Sequence, residues 1–113
     1  MITIYHNPRC TKSRQSIEYL KEIGREFEMV LYLSDPIDKN TLKELLKKLN
    51  YSPLELIRKN EAIWKEEFKG QELSDDQLIE AMIQYPKLME RPIIVNGDKA
   101  VVGRPTEAID QIL

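Results

Sequence analysis

The sequence predicts an α/β domain with a small mixed sheet, its elements in the order β-α-β, a helical block, then β-β-α. Three observations lead there. Short β-favouring apolar runs lie only near the two ends of the chain, each stopped by a turn-forming pair such as Asn7-Pro8, Asp35-Pro36 or Asn96-Gly97. Leucines at helical spacing fill the middle. The first two β runs are separated by a helix-period stretch, which is the crossover that a parallel strand pair needs.

The first run, Met1 to Tyr5, alternates apolar and β-favouring residues and is stopped by Asn7-Pro8. From Ser13, Ile17, Leu20 and Ile23 recur at helical intervals, and Gly24 stands where a helix C-terminus needs left-handed geometry. Phe27 to Leu33 reads as a second strand, ended by Ser34-Asp35-Pro36. Cys10 therefore falls at or just before a helix N-terminus. In the middle, Leu42, Leu45, Leu46 and Leu49 mark one helix face, and Thr41 with Glu44 forms a capping-box pattern. Ser52, Pro53 and Glu55 restart a helix through Leu56, because proline at the first helical position lacks only an N–H that would be unpaired anyway. Two more helical segments are expected at 61–68 and from Ser74 to Ile83, the second opened by Ser74 with Gln77. "PIIV" and "AVV" then flank "NGDK", where Asn96-Gly97 is a strong hairpin signal. "GRP" breaks the strand, and a last short helix follows with Thr106 as its cap.

At 113 residues and 42% hydrophobic content, residues 1–113 form one domain able to bury a continuous core. The 17 basic and 19 acidic residues leave a net charge of −2, so no global field favours nucleic acid or an anionic membrane. Neither a secretory leader nor a membrane-spanning apolar run is visible, and one cysteine allows no internal disulfide. The expectation is a cytoplasmic protein with a reduced thiol. Nothing in the composition demands an oligomer, and a monomer is expected.

"YHNPRCTKSR", residues 5–14, holds the only histidine and the only cysteine. At an unperturbed pKa of about 8.5, roughly 3% of a thiol is ionised at pH 7, so nucleophilic use requires a lowered value. A helix N-terminus offers N–H groups to the sulfur, Arg9, Lys12 and Arg14 surround it, and a protonated His6 would add another cation. One histidine and one cysteine cannot fill a zinc site, so no metal is expected. With Ser13 the motif is C-x-x-S, and any disulfide must form with another molecule. Three arginines extend the constellation. Arg58 follows "LELI", while Arg91 and Arg104 each precede a proline at opposite ends of the C-terminal hairpin and can face one point near the sheet's edge. Their planar, always-charged forks suit a tetrahedral oxyanion.

Together, "YHNPRCTKSR", "LIRKNE", "ERPIIV" and "GRP" resemble the glutaredoxin-coupled arsenate reductases, the ArsC family and especially its short members, collinearly over essentially the whole chain. The resemblance implies a thioredoxin-like fold with a helical insertion at roughly 38–89. It implies Cys10 as the nucleophile toward arsenate and Arg58, Arg91 and Arg104 as the anion-binding set. His6, Ser13 and Arg14 would support the thiolate, and Pro92 would be the cis-proline of the fold. It further implies no bound cofactor, with glutathione as co-substrate and glutaredoxin as the partner that resolves a mixed disulfide. Two other readings follow from the same fold: an Spx-like regulator that binds RNA polymerase, and a glutathione-dependent oxidoreductase acting on another substrate. The regulators carry C-x-x-C as a redox switch, where this chain has Ser13.

Overall fold

Alternation along β1 (Ile2–Tyr5) buries Ile2 and Ile4 and leaves Thr3 and Tyr5 half-buried, as a strand with two distinct faces requires. The computed structural model describes all 113 residues. These divide into two units, one formed by Met1–Asp35 with Arg91–Leu113 and the other by Pro36–Glu90.

The first unit is built on a four-stranded sheet in the order β2-β1-β3-β4, where β2 is Phe27–Val30, β3 is Ile93–Asn96 and β4 is Lys99–Val102. β1 pairs parallel with β2 and antiparallel with β3, and β3 pairs antiparallel with β4. The register places Ile4 opposite Ile94, and Ile94 opposite Val101. Ile2, Ile4 and Ile94 pack with Ile17 and Leu20 of α1 (Thr11–Glu22) and with Ile109 and Ile112 near the C-terminus. Gly24, at φ +72°, supplies the left-handed turn that ends α1.

α1 begins at Thr11 with Cys10 as its N-cap, which is where the thiol was expected. Three boundaries in this unit differ from the sequence expectation. β2 stops at Val30 rather than Leu33, because the last rung is His6 N–H to Val30 carbonyl, 2.9 Å, after which β1 leaves the sheet. The Leu31 carbonyl instead accepts the N–H groups of Ser34 and Asp35, at 3.0 and 2.8 Å, in a turn. The hairpin forms as expected, but Asn96 pairs with Lys99, so its two-residue loop is Gly97-Asp98. Gly97, at φ +65°, takes the first central position, which favours glycine in a type II′ turn. Thr106 is not a cap; it is the first residue of a 3₁₀ helix, Thr106–Ile112, with Pro105 before it. A period of three residues puts Ile109 and Ile112 on one face, and both are buried.

In the second unit, α2 (Lys39–Leu49) buries the four leucines expected of it and packs against α4 (Asp75–Gln84). Its cap is Asp38, whose carboxylate accepts the Thr41 N–H at 2.7 Å, not the Thr41–Glu44 box. An aspartate three residues earlier caps equally well and adds a turn of helix. α3 (Pro53–Leu56) and α4 open with the capping boxes of Ser52–Glu55 and Ser74–Gln77. Between them, Trp64–Phe68 is a π-helical turn. Its Lys69 N–H bonds the Trp64 carbonyl at 2.8 Å, and the Trp64 and Phe68 rings stack at 5.8 Å. No helix is long and apolar enough to cross a membrane.

Gly103 is the one glycine of the chain with no room for a side chain. A Cβ there would lie 2.8 Å from Ile94 Cδ1, 2.8 Å from Ser16 Oγ and 3.0 Å from Pro92 Cγ, all of them buried groups. Gly103→Ala is therefore expected to destabilise the protein by about 1–3 kcal/mol, the usual cost of overpacking. Urea denaturation of the variant beside wild type measures it.

Candidate active site

The loop that carries the thiol is fixed by its own residues. Asn7, two residues beyond β1, accepts the Cys10 N–H on its carbonyl at 3.0 Å, closing a turn with Pro8 at its second position. The Asn7 side chain accepts the Arg9 N–H at 3.0 Å, an Asx turn inside the first. Arg14, one turn into α1, ties the loop back by donating to the Pro8 carbonyl at 3.1 Å and to Thr11 Oγ1 at 3.4 Å.

Cys10 is 8% exposed and occupies the N-cap of α1, where a serine or aspartate oxygen ordinarily accepts the N–H groups of the first turn. No side-chain cap hydrogen bond is made by the neutral thiol. Burial pushes the thiol pKa up, but the Ser13 N–H, the Arg91 guanidinium and the Lys12 N–H together outweigh it, and the net value lies below that of an ordinary thiol. No acidic residue stands in the first turn to oppose this.

Two arginines from the far end of the chain reach the same sulfur. Arg104 donates to Cys10 Sγ at 3.4 Å, and its Nε donates to the Arg91 carbonyl at 2.7 Å. Arg91 acts on the sulfur both as donor and as a neighbouring positive charge. The Gly103 N–H to Pro92 carbonyl bond, 2.9 Å, joins the two loops that carry them. The Arg91–Pro92 peptide is cis, and so is Arg104–Pro105, which sequence reading did not include.

His6 and Ser13 act as a pair, though not as a cation. His6 Nδ1 lies 2.7 Å from Ser13 Oγ, which also accepts the Asn7 N–H at 3.0 Å. Burial, and then the charge of Arg14, lower the His6 pKa, so the imidazole is neutral at neutral pH and adds no charge to the site. Its contribution is to lock the Ser13 side chain, and with it the backbone that presents an N–H to sulfur. Asn7 and Gly103 belong to this architecture and were not singled out as site residues. An asparagine before proline is a turn signal, whereas the crowding at Gly103 arises from packing between distant segments and leaves no local mark.

Arg58 lies in the other unit. Its guanidinium bonds Glu61 at 2.9 Å. Its N–H is clipped to the Leu88 carbonyl at 2.7 Å, beside an isolated bridge between Ile57 and Met89. No group of three or more metal-ligating side chains comes together anywhere in the chain.

A four-stranded mixed sheet with one cysteine of lowered pKa at the N-cap of its first helix defines a thioredoxin-like protein with a single thiol. The chain belongs to the ArsC family, which it matches over residues 5–112. It is 50% identical over 114 residues to the uncharacterized Escherichia coli (strain K12) protein YfgD, covering 99% of this chain and 96% of that one. It is 40% identical over 114 residues to an arsenate reductase of Neisseria meningitidis, covering 99% and 97%. Among solved structures, the arsenate reductase from Vibrio cholerae superposes with a TM-score of 0.94 at 38% identity, over 99% of this chain and 97% of that one.

The lowered thiol pKa has two measurable consequences. The pH profile of iodoacetamide alkylation will show its midpoint below that of a free cysteine, and Arg91→Ala will move it upward. Because the folded-state value is depressed, thiolate stabilisation is complete above the unfolded thiol's pKa and is lost as pH falls through the folded value. The stability of wild type relative to Cys10→Ser in urea will therefore rise from acidic to alkaline pH.

Proposed function

We propose that this chain reduces arsenate to arsenite in a glutathione- and glutaredoxin-dependent cycle in which Cys10 is the nucleophile. The observation that carries the reading is the Cys10 sulfur at the α1 N-terminus, with Arg91 and Arg104 both acting on it. Family membership and relatives named arsenate reductase support it.

In this reading the arginines hold the arsenate oxygens in place of the bare thiolate's company, Arg104 and Arg91 by their geometry at sulfur and Arg58 through the family motif "LIRKNE". The thiolate attacks arsenic, forming an S–As bond as one oxygen leaves protonated. Glutathione then attacks the adduct. The two thiols supply the two electrons that take As(V) to As(III), becoming a Cys10–glutathione disulfide while arsenite departs. Glutaredoxin reduces that disulfide and returns the thiol. His6, Ser13 and Arg14 keep the loop in shape, and Pro92 places the Arg91 backbone. No resident cofactor takes part, glutathione being consumed as a co-substrate, and the unit of function is a monomer.

Coupled NADPH oxidation with arsenate, glutathione, glutaredoxin and glutathione reductase tests the cycle. Wild type will turn over only when arsenate is present, and Cys10→Ser will be inactive; equal rates for the two would remove the mechanism. Arg91→Ala will raise the arsenate KM about tenfold or more, as loss of a charged hydrogen bond does, with an unchanged far-UV circular dichroism spectrum. An unaltered KM would count against its oxyanion role.

A further inference from the structure

A groove of about 420 Å³ runs along the first unit between α1 and the C-terminal 3₁₀ helix, starting at Thr11, the residue after Cys10. It is an open surface groove, lined largely by exposed side chains. Arg14 lines the end near the thiol, and Glu18, Glu22 and Glu107 line the rest.

This charge order runs against what a helix prefers. α1 has no acidic residue in its first turn, carrying Lys12 and Arg14 there instead, and places Glu18 and Glu22 farther along. Cations at a helix N-terminus and a Glu–Glu pair at i,i+4 each oppose helix stability, and an Arg-to-Glu pair at i,i+4 is in the weaker of the two orders. The cost is not recovered internally. The salt bridges of the chain are Lys39–Glu80 and Arg58–Glu61, so Arg14 and Glu18 do not pair with each other. Arg14 spends two donors on Pro8 and Thr11, and a guanidinium has more to offer. The far end of the groove favours positive charge. There the hydrogen bond to Asp110, then burial and the charges of Asp110, Glu107 and Glu22, hold the Tyr19 phenol above its ordinary pKa.

A cation followed by a carboxylate one turn away matches an α-amino-acid head group, which presents a carboxylate and an ammonium side by side. The axial rise from Cys10 to the level of Arg14 and Glu18 is about 6–12 Å at 1.5 Å per residue. Free cysteine, with its head group next to its sulfur, is too short to bridge that gap. A γ-glutamyl arm is long enough.

We propose that this groove receives the γ-glutamyl head of glutathione, its carboxylate on Arg14 and its ammonium on Glu18, while its sulfur meets Cys10. The assignment rests on the thiol-dependent cycle above and names where the co-substrate is recognised. It makes Glu18 the residue that selects glutathione over thiols lacking an amino-acid head.

Thiol–disulfide exchange tests the groove without arsenate. In the reaction of reduced protein with oxidised glutathione, the Cys10 thiolate attacks one sulfur, a Cys10–glutathione disulfide forms and a glutathione thiolate leaves; mass spectrometry follows the adduct. Glu18→Lys is expected to slow this reaction about fivefold, the size of an exposed ion pair's contribution. Glu18→Gln should fall between it and wild type. Both variants should react with the neutral bis(2-hydroxyethyl) disulfide at the wild-type rate. Oxidised glutathione is a net anion, so a merely diffuse field would make Glu18→Lys faster; an equal or faster rate overturns the proposal, as does an equal slowing with the neutral disulfide. Arsenate-dependent turnover is read separately. Its absence in wild type overturns the reductase reading while the exchange result stands on its own.

Discussion

The sulfur of Cys10 stands where a helix ordinarily takes an oxygen, and most of the first unit is arranged to make that substitution tolerable. A thiol in a buried position resists ionisation. Here the resistance is overcome by N–H groups that have no intrahelical partner and by guanidinium groups brought from residues 91 and 104. The same donors leave the thiolate partly satisfied by the protein's own groups.

Delivering those guanidinium groups is a problem of long-range packing. β1 carries the thiol loop, and the strand beside it, β3, begins immediately after Pro92, so Arg91 is placed at the end of the sheet from which the Cys10 loop emerges. β4 returns antiparallel and ends at Val102, which brings Gly103 and Arg104 back to that end. Only a residue without a side chain passes between Ile94, Ser16 and Pro92 there. The isoleucine core beneath therefore fixes the site as well as the fold.

Much of this was legible because it is local. The strand-loop-helix at Cys10, the left-handed Gly24, the leucine face of α2 and the two later capping boxes depend on residues within a few positions of one another. The convergence of Arg91 and Arg104 was readable from two prolines and a hairpin. What escaped depended on strand pairing between distant segments or on helix types that apolar spacing alone does not distinguish. β2 ends where β1 turns away, the last helix tightens to suit Ile109 and Ile112, and the aromatic stack accompanies a π turn that periodicity alone does not announce. The charge state of His6 was also out of reach, since burial decides it and one strand's pattern does not reveal how closely a loop will cover it.

Ser13 has a consequence for how such a chain can evolve. Its side chain is fully buried, and its oxygen is shared between the His6 ring and the Asn7 N–H. A sulfur in that place would be larger and a weaker acceptor, leaving a buried amide poorly paired and pressing on the imidazole. Acquiring an internal resolving thiol by a single substitution would thus disturb the loop that activates the first one. The packing around Ser13 favours a chain with one thiol, and any disulfide Cys10 forms has its other sulfur on another molecule.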